Sequence, residues 1–281
     1  MTRKQKRNIR KEVTDTIIKA LEAGVAPWVK PWKSANGGLP QKQDTGQSYR
    51  GVNVILLMLA GMAFASNEWY TFKQAQTRGG QVRKGEKGTM VVFWKMLTKT
   101  ETDDAGEEVE RKIPMLRHFM VFNRDQIDGL AEVEVEEVPD FERHEAAEAT
   151  IKETGAKIKY GTNAAFYQPI TDSIGMPSRE WFNNPETFYS TSFHELVHWT
   201  GSADRLDRNH KGSFGSEDYA FEELVAEIGS AFLCAEHRID GQLQHPNYIA
   251  SWIKGLKDDV NAIFSASKLA QDAADLIQEG A

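Results

Sequence analysis

Early in the chain, Ile9, Val13, Ile17 and Leu21 recur at the spacing of one helical face, and Gly24 follows as a stop signal. They predict an amphipathic helix behind a basic N-terminal arm. A turn-rich stretch, residues 27–49, leads into the apolar run of residues 52–65, which is shorter than the roughly 20 residues of a membrane span and has polar flanks. It reads as a buried helix. Residues 72–78 predict a further short helix, and residues 89–97 and 113–122 predict two strands joined by a polar tip around Asp103 and Gly106. Beyond residue 140 the periodicity is mainly helical. A helix over 141–153 is followed by short strands at 156–160 and 166–170, then by helices over about 187–200, 217–237, 246–263 and 266–279, with Gly201, Gly241 and Gly280 near their ends. The fold class is therefore α+β: a mixed α/β first half and a mainly helical second half with a small sheet.

Charge divides the chain at the same place. Residues 1–130 carry 22 Lys and Arg against 14 Asp and Glu, whereas residues 131–281 carry 12 against 27, so the net charge of −7 hides a basic half and an acidic half. A basic nucleic-acid-binding domain joined to an acidic catalytic one has this signature; solvated faces of unequal sign are the plain alternative. Two domains also suit a length of 281 residues. We place them at 1–130 and 141–281, with the acidic run that ends in Pro139 and Asp140 as a linker over 131–140. Cys234 is the only cysteine, which excludes an intramolecular disulfide and a cysteine-based zinc finger and suggests a reducing cytoplasm. No apolar segment follows the opening Met-Thr-Arg-Lys-Gln-Lys-Arg, so neither a secretory signal nor a membrane partner is expected.

Within the helical half stands His194-Glu195-Leu196-Val197-His198. On a helix, histidines four apart share a face and can grip one ion, while the carboxylate between them reaches a water on that ion. A bound zinc lowers the pKa of such a water toward about 7, and Glu195 would take its proton as the oxygen attacks a carbonyl carbon. A catalytic site of this kind needs a third protein ligand and leaves the fourth position open. His210 lies too far after His198 for the three-histidine spacing, so the acidic stretch from Phe221 to Ile228 is the better source. Glu223 is the expected ligand, with Glu222 and Glu227 as alternatives, and Glu227 is expected to accept a hydrogen bond from a ligand imidazole. His118, His144, His237 and His245 read as packing or surface residues. His210 and Tyr219 both remain open as oxyanion-stabilising groups. The cofactor is one divalent metal, zinc by default, although two imidazoles and a carboxylate also accept manganese, cobalt or nickel. A histidine pair that binds nothing is the plain alternative, and a closed structural site is disfavoured because such sites usually use cysteine.

The basic half interleaves cations with aromatics: Arg3, Lys4, Lys6, Arg7, Arg10 and Lys11 in the arm, then Trp28, Lys30, Trp32 and Lys33, then Tyr49 and Arg50, then Arg83, Lys84 and Lys87. Single-stranded DNA is bound by such a mixture, with cations tracking phosphates and rings stacking on bases, whereas duplex DNA would use the cations alone. Against this, a tryptophan is more often core than platform. Gly85-Glu-Lys-Gly88 lacks the pattern of a nucleoside triphosphate loop.

These residues carry a likeness. Pro27-Trp-Val-Lys-Pro-Trp32, Tyr49-Arg-Gly-Val-Asn53, Trp69-Tyr-Thr-Phe72, the run from Gly79 to Gly88 and Phe122-Asn-Arg-Asp-Gln-Ile127 resemble the N-terminal domain of the ArdC family of plasmid antirestriction proteins, also found in TraC-type conjugative primases. The stretch from Tyr189 to Gly201, with Glu222 to Glu227, resembles that family's zincin-like metallopeptidase domain. The resemblance implies a single-stranded-DNA-binding domain, a peptidase-like domain and protection of incoming plasmid DNA from host restriction during conjugation. The absence of a primase region after the peptidase-like part favours the ArdC type. A protein substrate would be a restriction-system or DNA-associated component. Two rivals stand beside this reading: a DNA-binding shield whose metal site does not turn over, and a peptidase that cleaves a regulatory protein.

Overall fold

The computed structural model describes residues 7–29, 38–102, 108–131, 139–208 and 215–280. The acidic run 132–138, the hairpin tip 103–107 and the expected sites Arg3, Lys4, Lys6, Lys30, Trp32, Lys33 and His210 lie outside the described residues. The first half contains α1 (Ile9–Glu22), β1 (Gln41–Lys42), α2 (Val52–Gly61), β2 (Glu68–Thr71), α3 (Phe72–Thr77), β3 (Gln81–Val82), β4 (Thr89–Thr102), β5 (Glu108–Asn123) and β6 (Ile127–Asp128). The second contains α4 (Asp140–Glu153), β7 (Lys157–Tyr160), β8 (Phe166–Gln168), β9 (Ser173–Met176), α5 (Pro185–Thr200), α6 (Glu217–Glu236), α7 (Ile249–Asp258) and α8 (Ala262–Glu279). The α+β class expected from the pattern is the one observed.

In the first half a four-stranded sheet runs in the order β1-β2-β5-β4, antiparallel except between β1 and β2, so β4 forms one edge. The second half holds a three-stranded sheet in which β9 is central, parallel to β7 and antiparallel to β8. Periodicity did not reveal β9. It is a run of four residues buried on both faces, too short to show alternation. The helix expected over 246–263 is also divided. Pro246 confines the start to a short 3-10 turn, and α7 ends at Asp258, where the Asp259 carboxylate accepts the Asn261 N–H at 2.8 Å in a local turn.

The two halves share one core. Val13 and Ile17 of α1 are fully buried, and Trp28, also fully buried, meets Trp252 of α7 edge to face at 5.8 Å. Thr14 donates to the Val260 carbonyl at 2.9 Å, and the Gly51 N–H, at the start of α2, donates to Gln271 of α8 at 3.1 Å. Gly51 has φ of +57°, a conformation that costs a side-chain-bearing residue energy. Helices of the first half thereby pack against α7 and α8, which in turn support α5 and α6. Among the described residues no helix is long and apolar enough to cross a membrane.

Candidate metal centre

Two buried helices build the centre. The Asn184 side chain caps α5 by accepting the Thr187 N–H at 2.8 Å, with Pro185 in the first turn. Ser216 caps α6 by accepting from Tyr219 at 3.2 Å. The helices can approach closely because residue 229 is glycine: a Cβ there would meet Val197 at 2.8 Å. Ser230 ties them further by donating to the Ser190 carbonyl at 2.8 Å. Apolar positions such as Phe193, Leu196 and Val197 are fully buried, which fixes the rotation of α5 and turns His194, Glu195 and His198 toward α6.

At that junction three donors converge. His194 Nε2 and His198 Nε2 face each other at 3.1 Å, and the Glu223 carboxylate straddles them, with Oε2 3.5 Å from the first and Oε1 3.5 Å from the second. A tetrahedral metal with bonds of about 2.1 Å holds neighbouring donors about 3.4 Å apart, so this triangle has the dimensions such an ion requires. Two imidazole nitrogens this close, beside a nearly inaccessible carboxylate, also make a poor arrangement unless a proton or cation lies among them. The donor chemistry and the spacing fit a divalent metal.

The charges of these groups are coupled. Burial pushes the Glu223 carboxyl up, but His194, His245 and His198 outweigh it and hold the pKa far below the ordinary carboxylate value. Burial disfavours the cationic form of His198, yet Glu222, Glu223 and Glu195 reverse the balance and raise its pKa. Glu195 lines an open cleft of about 240 Å³ together with the three donors, Tyr219 and His245, and strand β8 forms one wall through Phe166 and Tyr167.

Two expectations need correction. Glu227 does not approach His194 or His198; its Oε1 accepts the backbone N–H of His245 at 2.6 Å. The carboxylate beside a histidine of the triangle is Glu222, with Oε1 3.3 Å from His198 Nδ1. Buried Arg208 donates to both Glu222 oxygens at 2.9 and 3.2 Å. Burial opposes the Glu222 charge, but His198 and Arg208 hold its pKa down to about 2. Sequence spacing alone places Glu222 and Glu223 equally near the site, and only helix rotation separates their roles. Glu222→Ala is expected to leave the buried Arg208 charge unpaired at a cost of about 3 kcal/mol and to weaken metal binding by about 10- to 100-fold, read by urea denaturation and a competitive chelator titration. Unchanged metal affinity would remove Glu222 from any supporting role.

His245, read from the sequence as a packing or surface residue, stands at the centre instead. Its Nδ1 is 3.0 Å from Glu223 and 3.6 Å from Glu227, and it forms with His194 and Glu223 a set whose donor atoms lie within 4.8 Å of one another. Burial lowers its pKa, but the two glutamates raise it to about 10. It comes from the loop after α6, where no fixed spacing links a residue to a helix-borne motif, so the sequence held no signal for it.

The cations and rings expected to bind DNA are differently placed. Trp28 is fully buried and Tyr49 is 9% exposed, so neither offers a ring face to a base. Arg7 pairs with Glu12, Lys11 with Asp15, Arg50 with Asp275, and Arg83 with Glu86 and Asp128. Their charge is thus partly met within the protein. Lys84 and Lys87 are exposed, and Arg10 lies over the Trp94 ring at 5.1 Å.

Comparison with known proteins matches this arrangement. Residues 7–122 match a family described as the N-terminal domain of anti-restriction factor ArdC, and residues 145–269 match one described as zincin-like metallopeptidase. Two proteins named DNA primase TraC, from Escherichia coli, are 41% and 40% identical to this chain over 94% and 97% of its length. The chain spans only 19% and 27% of those relatives. Protein y4eC of Sinorhizobium fredii, which is uncharacterized, is 37% identical, with 95% of this chain and 91% of that protein aligned. Crystal structures of the antirestriction protein ArdC from plasmid R388, metal-free and Mn(II)-bound, superpose with TM-scores of 0.81 and 0.79 at 40% identity, covering 98% of both chains in each case. The chain therefore belongs to the ArdC antirestriction family, combining an ArdC N-terminal domain with a zincin-like metallopeptidase domain.

Proposed function

We propose that this protein binds single-stranded DNA and cleaves a protein substrate at a metal centre held by His194, His198 and Glu223, protecting incoming plasmid DNA from restriction in the cytoplasm of the recipient cell. The observation that carries the peptidase part is the donor triangle opening on a cleft that also contains Glu195. Zinc is the default ion; manganese, which the R388 ArdC structure contains, is the principal alternative. When bound, the metal acidifies a water and polarises the substrate carbonyl. Glu195 accepts the water's proton on a carboxylate oxygen and passes it to the leaving amine. Tyr219, whose hydroxyl pKa burial and Glu223 both raise, stays protonated and is the candidate donor to the developing oxyanion. Strand β8 is an edge strand against the cleft, so an extended peptide has backbone groups to pair with there. That favours a peptide over a small-molecule substrate.

An unstructured protein such as casein, incubated with the metal-loaded full chain, tests this reading. Cleavage that stops on chelation supports it. No cleavage with zinc, manganese, cobalt or nickel, at full occupancy, would leave the shield reading in place.

A specific observation favours that second reading: if His245 joined the triangle, four protein donors would close the site and leave no open position. Under the peptidase reading His245→Ala is expected to keep about one equivalent of metal by elemental analysis, since three protein ligands are sufficient. Loss of metal would put His245 in the ligand set and support the shield.

A further inference from the structure

The β4–β5 ribbon displays apolar surface that the described residues leave exposed. Trp94 is 49% exposed, Met96 55% and Phe119 53%, all on a regular two-stranded segment rather than in a loop. Alternation along the strands divides them. Phe93 and Lys95, with Arg117 and Phe119 across the pair, share one face; Trp94 and Met96, with Leu116 and His118, share the other. On the first face Phe93 and Phe119 are stacked nearly parallel, 4.7 Å apart and 7° from coplanar, leaving the outer side of Phe119 open. On the second, Arg10 lies over the Trp94 ring at 5.1 Å and Arg7 contacts His118 at 3.0 Å.

Three cations stand beside these rings without a counter-charge of their own. Arg10, Lys95 and Arg117 have no carboxylate partner among the described residues, whereas Arg7, Lys11, Arg50 and Arg83 do. Uncommitted positive charge beside open rings is complementary to a strand that offers phosphates and unstacked bases together. A duplex would present only the phosphates, because its base faces are covered by their neighbours. β4 is also the edge strand of its sheet, and beyond Val92, whose N–H and carbonyl pair with the Asn53 side chain, one flexible strand can pass around it and reach both faces. An exposed apolar edge is an aggregation hazard, and its retention calls for a partner.

We propose that this ribbon is the single-stranded-DNA site, with bases stacking on Phe119 and Trp94 and phosphates meeting Lys95, Arg117 and Arg10. The proposal rests on the DNA-binding part of the function above and relocates it from Trp28 and Tyr49 to side chains that face solvent.

Fluorescence anisotropy of the full chain with a labelled oligothymidylate, about 20 nucleotides long to span at least one typical site, tests it. Because Trp94 and Phe119 are exposed, their replacement should leave the fold intact, which circular dichroism checks. Phe119→Ala and Trp94→Ala are each expected to weaken binding about 10-fold, and Phe119→Tyr and Trp94→Phe to restore it. Lys95→Gln with Arg117→Gln should reduce the slope of log affinity against log salt by about 1.4, at about 0.7 for each phosphate contact on a single strand. Arg83→Gln, at a cation already paired, should change little. Wild-type binding that survives both alanine substitutions at full strength would overturn the ribbon as the site while leaving DNA binding standing. Duplex bound more tightly than the single strand would overturn the stacking contact. No wild-type binding at low salt would sink the DNA-binding reading itself.

Discussion

Glu195→Gln is expected to retain one equivalent of metal and lose peptide hydrolysis by a factor of at least about 10², and as much as about 10⁴. Glutamine preserves the shape of a side chain that is 6% exposed in a packed helix, so the fold and the donor triangle should survive. It cannot accept the proton that the attacking water must lose. Elemental analysis and hydrolysis of the same sample separate the two effects. Activity near the wild-type level would exclude Glu195 as the base, and concurrent metal loss would show that it supports the ligands instead. The same variant decides whether protection needs proteolysis. A plasmid entering a restricting host should lose its protection with the activity, and undiminished protection would establish the shield.

Metal removal by His194→Ala or Glu223→Ala is expected to be nearly complete, because each takes one corner from a three-donor site. Wild type is expected to hold about one equivalent after dialysis, and both variants close to none. A metal present at about 1,000 times its dissociation constant stabilises the folded state by about 4 kcal/mol, so the wild-type melting temperature should rise on loading while the variants stay unmoved. The metal-free variants separate the corners further. Glu223 is a nearly inaccessible carboxylate whose charge three imidazoles maintain, so alanine there removes the counter-charge of all three. Metal retained by Glu223→Ala but not by His194→Ala would transfer the third position to His245, whose Nδ1 already lies 3.0 Å from Glu223.

The division between what could be read along the chain and what could not follows from the range of each interaction. Helices α1, α5, α6 and α8 were legible because their apolar positions repeat locally and stop residues such as Gly24, Gly201 and Gly280 stand near their ends. Likewise, His194, Glu195 and His198 form a motif contained within two helical turns, so their shared face is encoded by spacing alone. The placement of Glu223 beside the two histidines was expected one step further, from an acidic helix that had to pack nearby. Beyond that distance the sequence is silent. The rotation of α6 against α5, permitted by Gly229, decides that Glu222 rather than Glu227 supports His198. Closure of the loop after α6 brings in His245, and docking of α1 on α7 buries Trp28. Aromatic type announces stacking capacity, but only packing determines which ring remains exposed; here Trp94 and Phe119 stay open on a sheet edge while Trp28 and Tyr49 fill the core.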